Sequence, residues 1–169
     1  MHRLGLLAVF AASWLAGALL AEASRAEVGA DQRGLDALAN GRRIFAATGG
    51  CTCHTNFPGE GDEAPSLAGG RALETPFGVF YSTNITPDDE TGIGRWSEAD
   101  FVRALREGLS PDGEHYFPVF PYPAFSGLAD RDLVDMKAYL DSLPAVRREN
   151  RAPEAPFPFS WRGSVAGGK

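Results

Sequence analysis

The chain opens on an uninterrupted apolar run. Leu4 to Ala21 contains no charged residue and is rich in leucine and alanine, Arg3 precedes it, and Ala21-Glu22-Ala23 follows. A positive start, an apolar stretch and an A-x-A pattern predict an export signal over residues 1–23, with Ser24 beginning the mature chain. The other reading is a retained membrane anchor, because a stretch of this length reaches the lower limit for a span. Residues 24–34 are polar and predicted to be flexible. From Leu35 the pattern changes: Leu38, Gly41 and Phe45 share one stripe while Arg42 and Arg43 lie off it, which predicts a helix from Leu35 to Thr48. Gly49-Gly50 ends it.

Residues 56–95 lose periodicity and carry Pro58, Pro65, Pro76, Pro87 and seven glycines, so they read as loop, with a short extended piece from Phe77 to Ile85. Ser97 is a good N-cap with Asp100 three residues on, opening a helix that carries Phe101, Val102, Leu105 and Leu109 and meets Gly108 near its end. Residues 110–128 form a proline-rich aromatic loop. Asp130 is positioned to cap a last helix with Leu133, Met136, Leu140 and Leu143 inward, stopped by Pro144. The main domain is then 35–144, followed by a proline-rich tail over 145–169. Three helices with long loops and almost no sheet are expected. Short helices joined by Pro/Gly loops enclose little apolar volume. Either a large apolar prosthetic group completes the core, or the aromatic loop alone covers the helices.

Composition narrows the function. Hydrophobic residues are 44% and charged residues 22% of 169, a globular balance. The net charge of −6 argues against a nucleic-acid partner, whose phosphates need a basic face. Two cysteines are too few for a disulfide scaffold, and they sit one residue apart in Cys51-Thr52-Cys53-His54. In an oxidising compartment such a pair is oxidised, metal-bound or covalently used.

Haem attaches covalently through C-x-x-C-H, two thiols adding to the vinyl groups and the histidine taking the iron. Here one residue is missing. Two helical residues advance about 200°, so in a helix Cys51 and Cys53 point to opposite sides. Cys53, adjacent to His54, is the safer attachment point, and Gly50 stands where the first cysteine belongs. Cys51 reaches a vinyl only in a loosened turn. Taken alone, the motif also fits zinc or copper held by both thiolates and His54, with His115 as fourth ligand.

The surrounding segments carry a resemblance. Gly49-Gly50-Cys51-Thr52-Cys53-His54-Thr55, Thr75-Pro76-Phe77-Gly78, Ser82-Thr83-Asn84-Ile85-Thr86-Pro87-Asp88, Thr91-Gly92-Ile93-Gly94-Arg95-Trp96-Ser97, Pro111-Asp112-Gly113-Glu114-His115, Phe120-Pro121-Tyr122 and Lys137-Ala138-Tyr139-Leu140 resemble monohaem class I cytochromes c. The similarity is strongest to the cytochrome subunits of bacterial membrane-bound alcohol and gluconate dehydrogenases. It covers roughly residues 38–144, and the tail Phe157-Pro158-Phe159-Ser160-Trp161-Arg162 also looks like one found in some relatives. It implies an all-α cytochrome c fold, three main helices with long loops around one covalently bound haem c, held through both thioethers or only one. Gly41 and Phe45 sit four apart on one face of the first helix, so Gly41 lets another helix approach with Tyr139 filling the gap, or marks a generic helix contact. The resemblance implies that the Pro65 carbonyl receives the free ring N–H of His54, the alternative being an ordinary loop proline. It also implies that Trp96 and Arg95 donate to the propionates, the alternative being a surface Trp96 stacked on the helix that follows.

The resemblance fails on the far side of the iron. Relatives carry methionine at the position of Phe120 or of Leu128; this chain has neither, and Met136 lies mid-helix on the core stripe. His115 is then the remaining candidate ligand, alongside its reading as a surface or propionate contact; without it the iron is open to small ligands. No acid, base or nucleophile constellation appears, so an electron carrier is expected rather than an enzyme. Its expected setting is the periplasm, with a dehydrogenase, an oxidase or another cytochrome as redox partner and peripheral membrane association allowed. The competing readings are a five-coordinate haem protein binding small ligands, and a non-haem metal module at Cys51, Cys53 and His54.

Overall fold

Helix α1 runs from Leu4 to Ala47, 44 residues, in a computed structural model that describes residues 4–56 and 66–161. It starts well before Leu35. The polar segment 24–34, expected to be irregular, is helical: alanine, glutamate, glutamine and arginine are strong helix formers and outweigh Gly29 and Gly34. Gln32 adds an i,i+4 hydrogen bond to Asp36 at 3.0 Å. The chain divides into two compact units, residues 1–36 and 37–169. The first contains α1 residues; the second holds the remaining elements and the core.

In the second unit β1 (Ala72–Thr75) and β2 (Gly78–Tyr81) form an antiparallel hairpin, pairing Ala72 with Tyr81 and Thr75 with Gly78 across a two-residue loop. The extended stretch thus begins five residues before the expected Phe77 and ends at Tyr81 rather than Ile85. Pairing decides this, because the segment after Tyr81 bonds to neighbours other than β1. The tail supplies a further edge. Val79 and Glu154 exchange both backbone bonds, at 3.0 and 2.8 Å, and Tyr81 donates its hydroxyl proton to Glu154 at 2.6 Å.

Helix α2 (Glu98–Glu107) opens with a complete capping box: the Ser97 hydroxyl accepts the Asp100 N–H at 3.1 Å, and the Asp100 carboxylate accepts the Ser97 N–H at 3.1 Å. The Ser97 hydroxyl also donates to the Asp100 carboxylate at 2.7 Å, and this bond, with the Ser97 N–H, holds the carboxyl below its ordinary value. The helix ends at Gly108, in the left-handed region at φ 67°, where a Cβ would lie 2.6 Å from the Tyr122 ring.

Helix α3 (Asp130–Asp141) buries Leu133, Met136 and Leu140 almost completely. Met136 is core, as its stripe predicted. Asp130 is not the cap. Ala129 takes that place without a side-chain bond, and the Asp130 carboxylate accepts Arg106 Nε at 3.0 Å and Nη2 at 2.6 Å. A guanidinium is a stronger partner for a carboxylate than a backbone N–H. Arg106 also donates to the carbonyls of Ser126 and Leu128, so one side chain of α2 closes the loop before α3.

The α1–α3 crossing is the closest in the molecule that the glycines mark. A Cβ on Gly41 would lie 1.9 Å from the Asp135 carbonyl oxygen and 2.9 Å from Tyr139 Cβ. One turn on, Phe45 and Tyr139 meet with ring centroids 5.4 Å apart, and one residue earlier Asn40 donates to Asp135 at 2.7 Å and Asp132 at 3.0 Å. The shared core contains Ile44, Leu67, Ile93, Phe101, Leu105, Leu133, Met136 and Leu140.

Gly41→Ala should therefore destabilise the protein by about 3 kcal/mol, the upper end of the range for overpacking, because the contact is with rigid backbone. Met136→Leu conserves volume and should cost less than about 1.5 kcal/mol. Urea unfolding midpoints compare the two; equal midpoints for Gly41→Ala and the parent would mean the helices do not touch at Gly41.

Candidate functional site

The site begins where α1 stops. Gly49, Gly50 and Cys51 follow one another in the left-handed region, at φ 90°, 63° and 48°. Glycine adopts that region freely, whereas a cysteine pays roughly 1–2 kcal/mol there. The turn is closed by Gly50 N–H donating to the Phe45 carbonyl at 2.8 Å. A single 3-10 turn, Thr52–His54, follows, with His54 N–H donating to the Cys51 carbonyl at 2.9 Å.

The two cysteines of the shortened motif sit in different backbone conformations, Cys51 left-handed and Cys53 within the 3-10 turn. Cys51 is half-buried and packs against the core beside Phe45, while Cys53 is exposed. Burial pushes the Cys51 thiol up to about 12, with the neighbouring Cys53 adding to the rise. Cys53 is also raised, chiefly by the protein atoms that crowd out water; its own N–H, the Arg71 guanidinium and the His54 N–H pull the other way. Both are neutral thiols at physiological pH.

His54 is half-buried, and its Nδ1 lies 2.6 Å from the Thr83 carbonyl oxygen. A carbonyl only accepts, so Nδ1 carries the proton. Burial lowers the His54 pKa, with the Thr83 contact opposing it, so the ring is neutral near pH 7 and Nε2 keeps its lone pair. Thr83 and Pro65 are therefore to be distinguished. The carbonyl seen on the ring is that of Thr83; Pro65, expected in this role, lies outside the described residues.

The Thr83 carbonyl is held in place from several sides. Asn84 is 2% exposed. Its side chain donates to the Val146 carbonyl at 2.6 Å and to Thr91 at 3.0 Å, and accepts from the N–H and hydroxyl of Thr86 at 2.9 and 2.8 Å. Gly69 donates its N–H to the His54 carbonyl at 2.8 Å and packs against the Thr83–Asn84 peptide, where a Cβ would lie 2.4 Å from the Thr83 carbonyl carbon. Neither Thr83 nor Asn84 stood out from the sequence as part of the site. Their signal was membership of the Ser82–Asp88 segment that carries the resemblance, with no role attached to either residue.

Trp96 is half-buried and packs on the core cluster, as do Cys51, Ile85, Phe120, Phe125 and Leu128. Arg95 is exposed. The Phe120 ring stands edge-on to Tyr116 at 5.4 Å and lies 6.1 Å from Phe125 and 6.4 Å from Tyr122. His115 is half-buried and bridges Leu109 across a turn. Among the described residues no three His, Cys, Asp or Glu side chains converge as a metal site. Cys51, Cys53, His54 and His115 are therefore not gathered into one four-ligand cluster.

The donor set fits haem: a neutral imidazole with an oriented ring and a free Nε2, two protonated thiols next to it in sequence, and half-buried aromatic and aliphatic side chains packed, like Cys51, on the core. No protein-family model matches the chain. Over 130 residues it is 50% identical to a nicotinate dehydrogenase subunit of Pseudomonas putida, 77% of this chain and 10% of that protein. Over 129 residues it is 42% identical to a diheme cytochrome c-type protein of Cereibacter sphaeroides, 76% of this chain and 44% of that protein. Over 139 residues it is 37% identical to the gluconate 2-dehydrogenase cytochrome c subunit of Pantoea cypripedii, 81% and 30% respectively. The chain spans less than half the length of each of these relatives. The fold is the helical cytochrome c fold. The chain is a homologue of the cytochrome c subunits of bacterial dehydrogenases.

Between pH 9 and about 12 an unfolded cysteine has lost its proton while the buried Cys51 keeps it. Ionisation then favours the unfolded chain, and stability falls as pH rises through this window. Urea melts of protein with free thiols should show that fall, and Cys51→Ala should flatten it. An unchanged slope would mean that Cys51 ionises freely.

Proposed function

We propose that the chain is an exported electron-transfer cytochrome c, with His54 as an iron ligand and Cys53 as the principal covalent anchor. The observation that carries this is the His54 ring: neutral, fixed by the Thr83 carbonyl at 2.6 Å, and adjacent in sequence to an exposed thiol. Bound haem supplies a one-electron iron couple. The protein's share is to hold and tune it. Thr83 orients the imidazole and raises its basicity. Trp96, Ile85, Phe120 and Phe125 line an apolar edge that keeps water back.

The relatives named as dehydrogenase cytochrome subunits support a dehydrogenase as electron donor, with an oxidase or a further cytochrome as acceptor. A net charge of −6 suits a partner with a basic docking face. The apolar run from Leu4 and the A-x-A pattern at residues 21–23 support export to the periplasm. A second reading, a haem protein with an open iron position, is favoured by Phe120: an aromatic ring packed among three others stands where relatives carry a thioether.

Absorption spectroscopy of the chain expressed with a haem-attachment system tests both readings. A low-spin reduced spectrum is expected for the carrier and a high-spin one for the open site; absence of haem bands would overturn both. Intact mass spectrometry should show that Cys53→Ala abolishes covalent haem while Cys51→Ala leaves a fraction. The reverse pattern would reassign the anchor to Cys51. Phe120→Met should add a thioether band at the red end of the oxidised spectrum.

A further inference from the structure

We infer that Asn150, in the C-terminal tail, is a positioning residue for His54 that acts through a single peptide group. The Thr83 carbonyl accepts the His54 Nδ1–H at 2.6 Å. The other end of the same peptide, the Asn84 N–H, donates to Asn150 Oδ1 at 2.7 Å. In a trans peptide the C=O and N–H point in opposite directions, so this group is strung between the histidine and the tail. The Asn150 amide is itself fixed, because its Nδ2 donates to the Thr91 carbonyl at 2.9 Å. That bond also assigns which end of the amide faces Asn84.

The tail around Asn150 is fastened on both sides. The Arg148 N–H donates to the Thr91 hydroxyl at 3.0 Å, and the Val146 carbonyl accepts from Asn84 at 2.6 Å. Gly69 blocks the opposite face of the peptide, since even a Cβ there would lie 2.5 Å from the Thr83 oxygen. The carbonyl therefore has one direction in which to point. Hydrogen bonds in series polarise one another: an acceptor on the N–H places more negative charge on the carbonyl oxygen. A stronger acceptor makes the imidazole a better donor to iron, which favours the oxidised state. Removing the Asn150 oxygen weakens that chain and favours the reduced state.

The inference rests on His54 being the haem ligand, and its test separates the two. In the full haem-loaded chain, Asn150→Ala should raise the midpoint potential by an amount equal to about a threefold change in the one-electron equilibrium, ~28 mV at 59 mV per tenfold. Asn150→Asp gives up the bond to the Thr91 carbonyl but keeps an oxygen acceptor for the Asn84 N–H and adds negative charge, so its potential should stay at or below the parent value. A merely structural role would move both variants in the same direction, and that outcome, or an unmoved Asn150→Ala, overturns the proposal. Nitrogen-15 NMR of the His54 ring gives a reading that needs no haem. The parent should hold the proton on Nδ1, and Asn150→Ala should lower that population, with Asn150→Asp preserving it. A parent without haem bands sinks the haem assignment alone. An Nδ1–H population indifferent to residue 150 sinks the role of Asn150.

Discussion

The contact on which the rest of the molecule depends is the touching of two helix backbones at Gly41. With no side chain there, α1 meets the Asp135 carbonyl on α3 directly. That closeness places Ile44 in the core and Phe45 against Tyr139. It also fixes where α1 ends, two residues after Phe45. The left-handed run of Gly49, Gly50 and Cys51 then delivers the 3-10 turn carrying His54. A shift at the crossing would move the histidine with it, because only about two turns of helix and one tight turn separate them.

The other wall of the site is built differently. Segment 82–91 has neither helix nor strand, and its backbone polar groups find partners one by one. Asn84 and Thr91 act as hubs, joined to Thr86 within the segment and to Val146, Arg148 and Asn150 in the tail. Buried polar groups demand such partners. A fully satisfied network of this kind is rigid, which is what a carbonyl that must orient a histidine requires. The tail residues Val146, Arg148 and Asn150 are therefore bonded into this wall.

Loss of one residue from the usual haem-attachment spacing leaves a chemically unequal pair of thiols. Cys51 sits in a strained backbone conformation with its thiol pushed up to about 12 by burial; Cys53 remains accessible next to His54. The histidine is not disturbed by the shortening, because its orientation comes from Thr83, 29 positions along the chain, and not from the motif. On the proposed function, attachment and ligation are then tasks of different parts of the fold.

Much of this was legible in local sequence. The stripe through Leu133, Met136 and Leu140, the Ser97–Asp100 capping box and the Gly49-Gly50 stop each follow from helical period or cap chemistry, which act within about one turn. Cys53 and His54 were singled out by their motif. Other features depended on partners far away in the chain. Asp130 was free to cap a helix until Arg106 of α2 took its carboxylate, and segment 24–34 shows how propensity continues a helix where polarity suggests a break. The Thr83 carbonyl and the Asn84–Asn150 bond, spanning 29 and 66 positions, were invisible for a physical reason. Small polar residues look alike whether water or a buried neighbour satisfies them, and a backbone carbonyl has no letter of its own. The sequence by itself determined the helices of the core, their buried faces and the histidine to look at; only tertiary packing decided which carbonyl aims its ring and which part of the tail holds that carbonyl still.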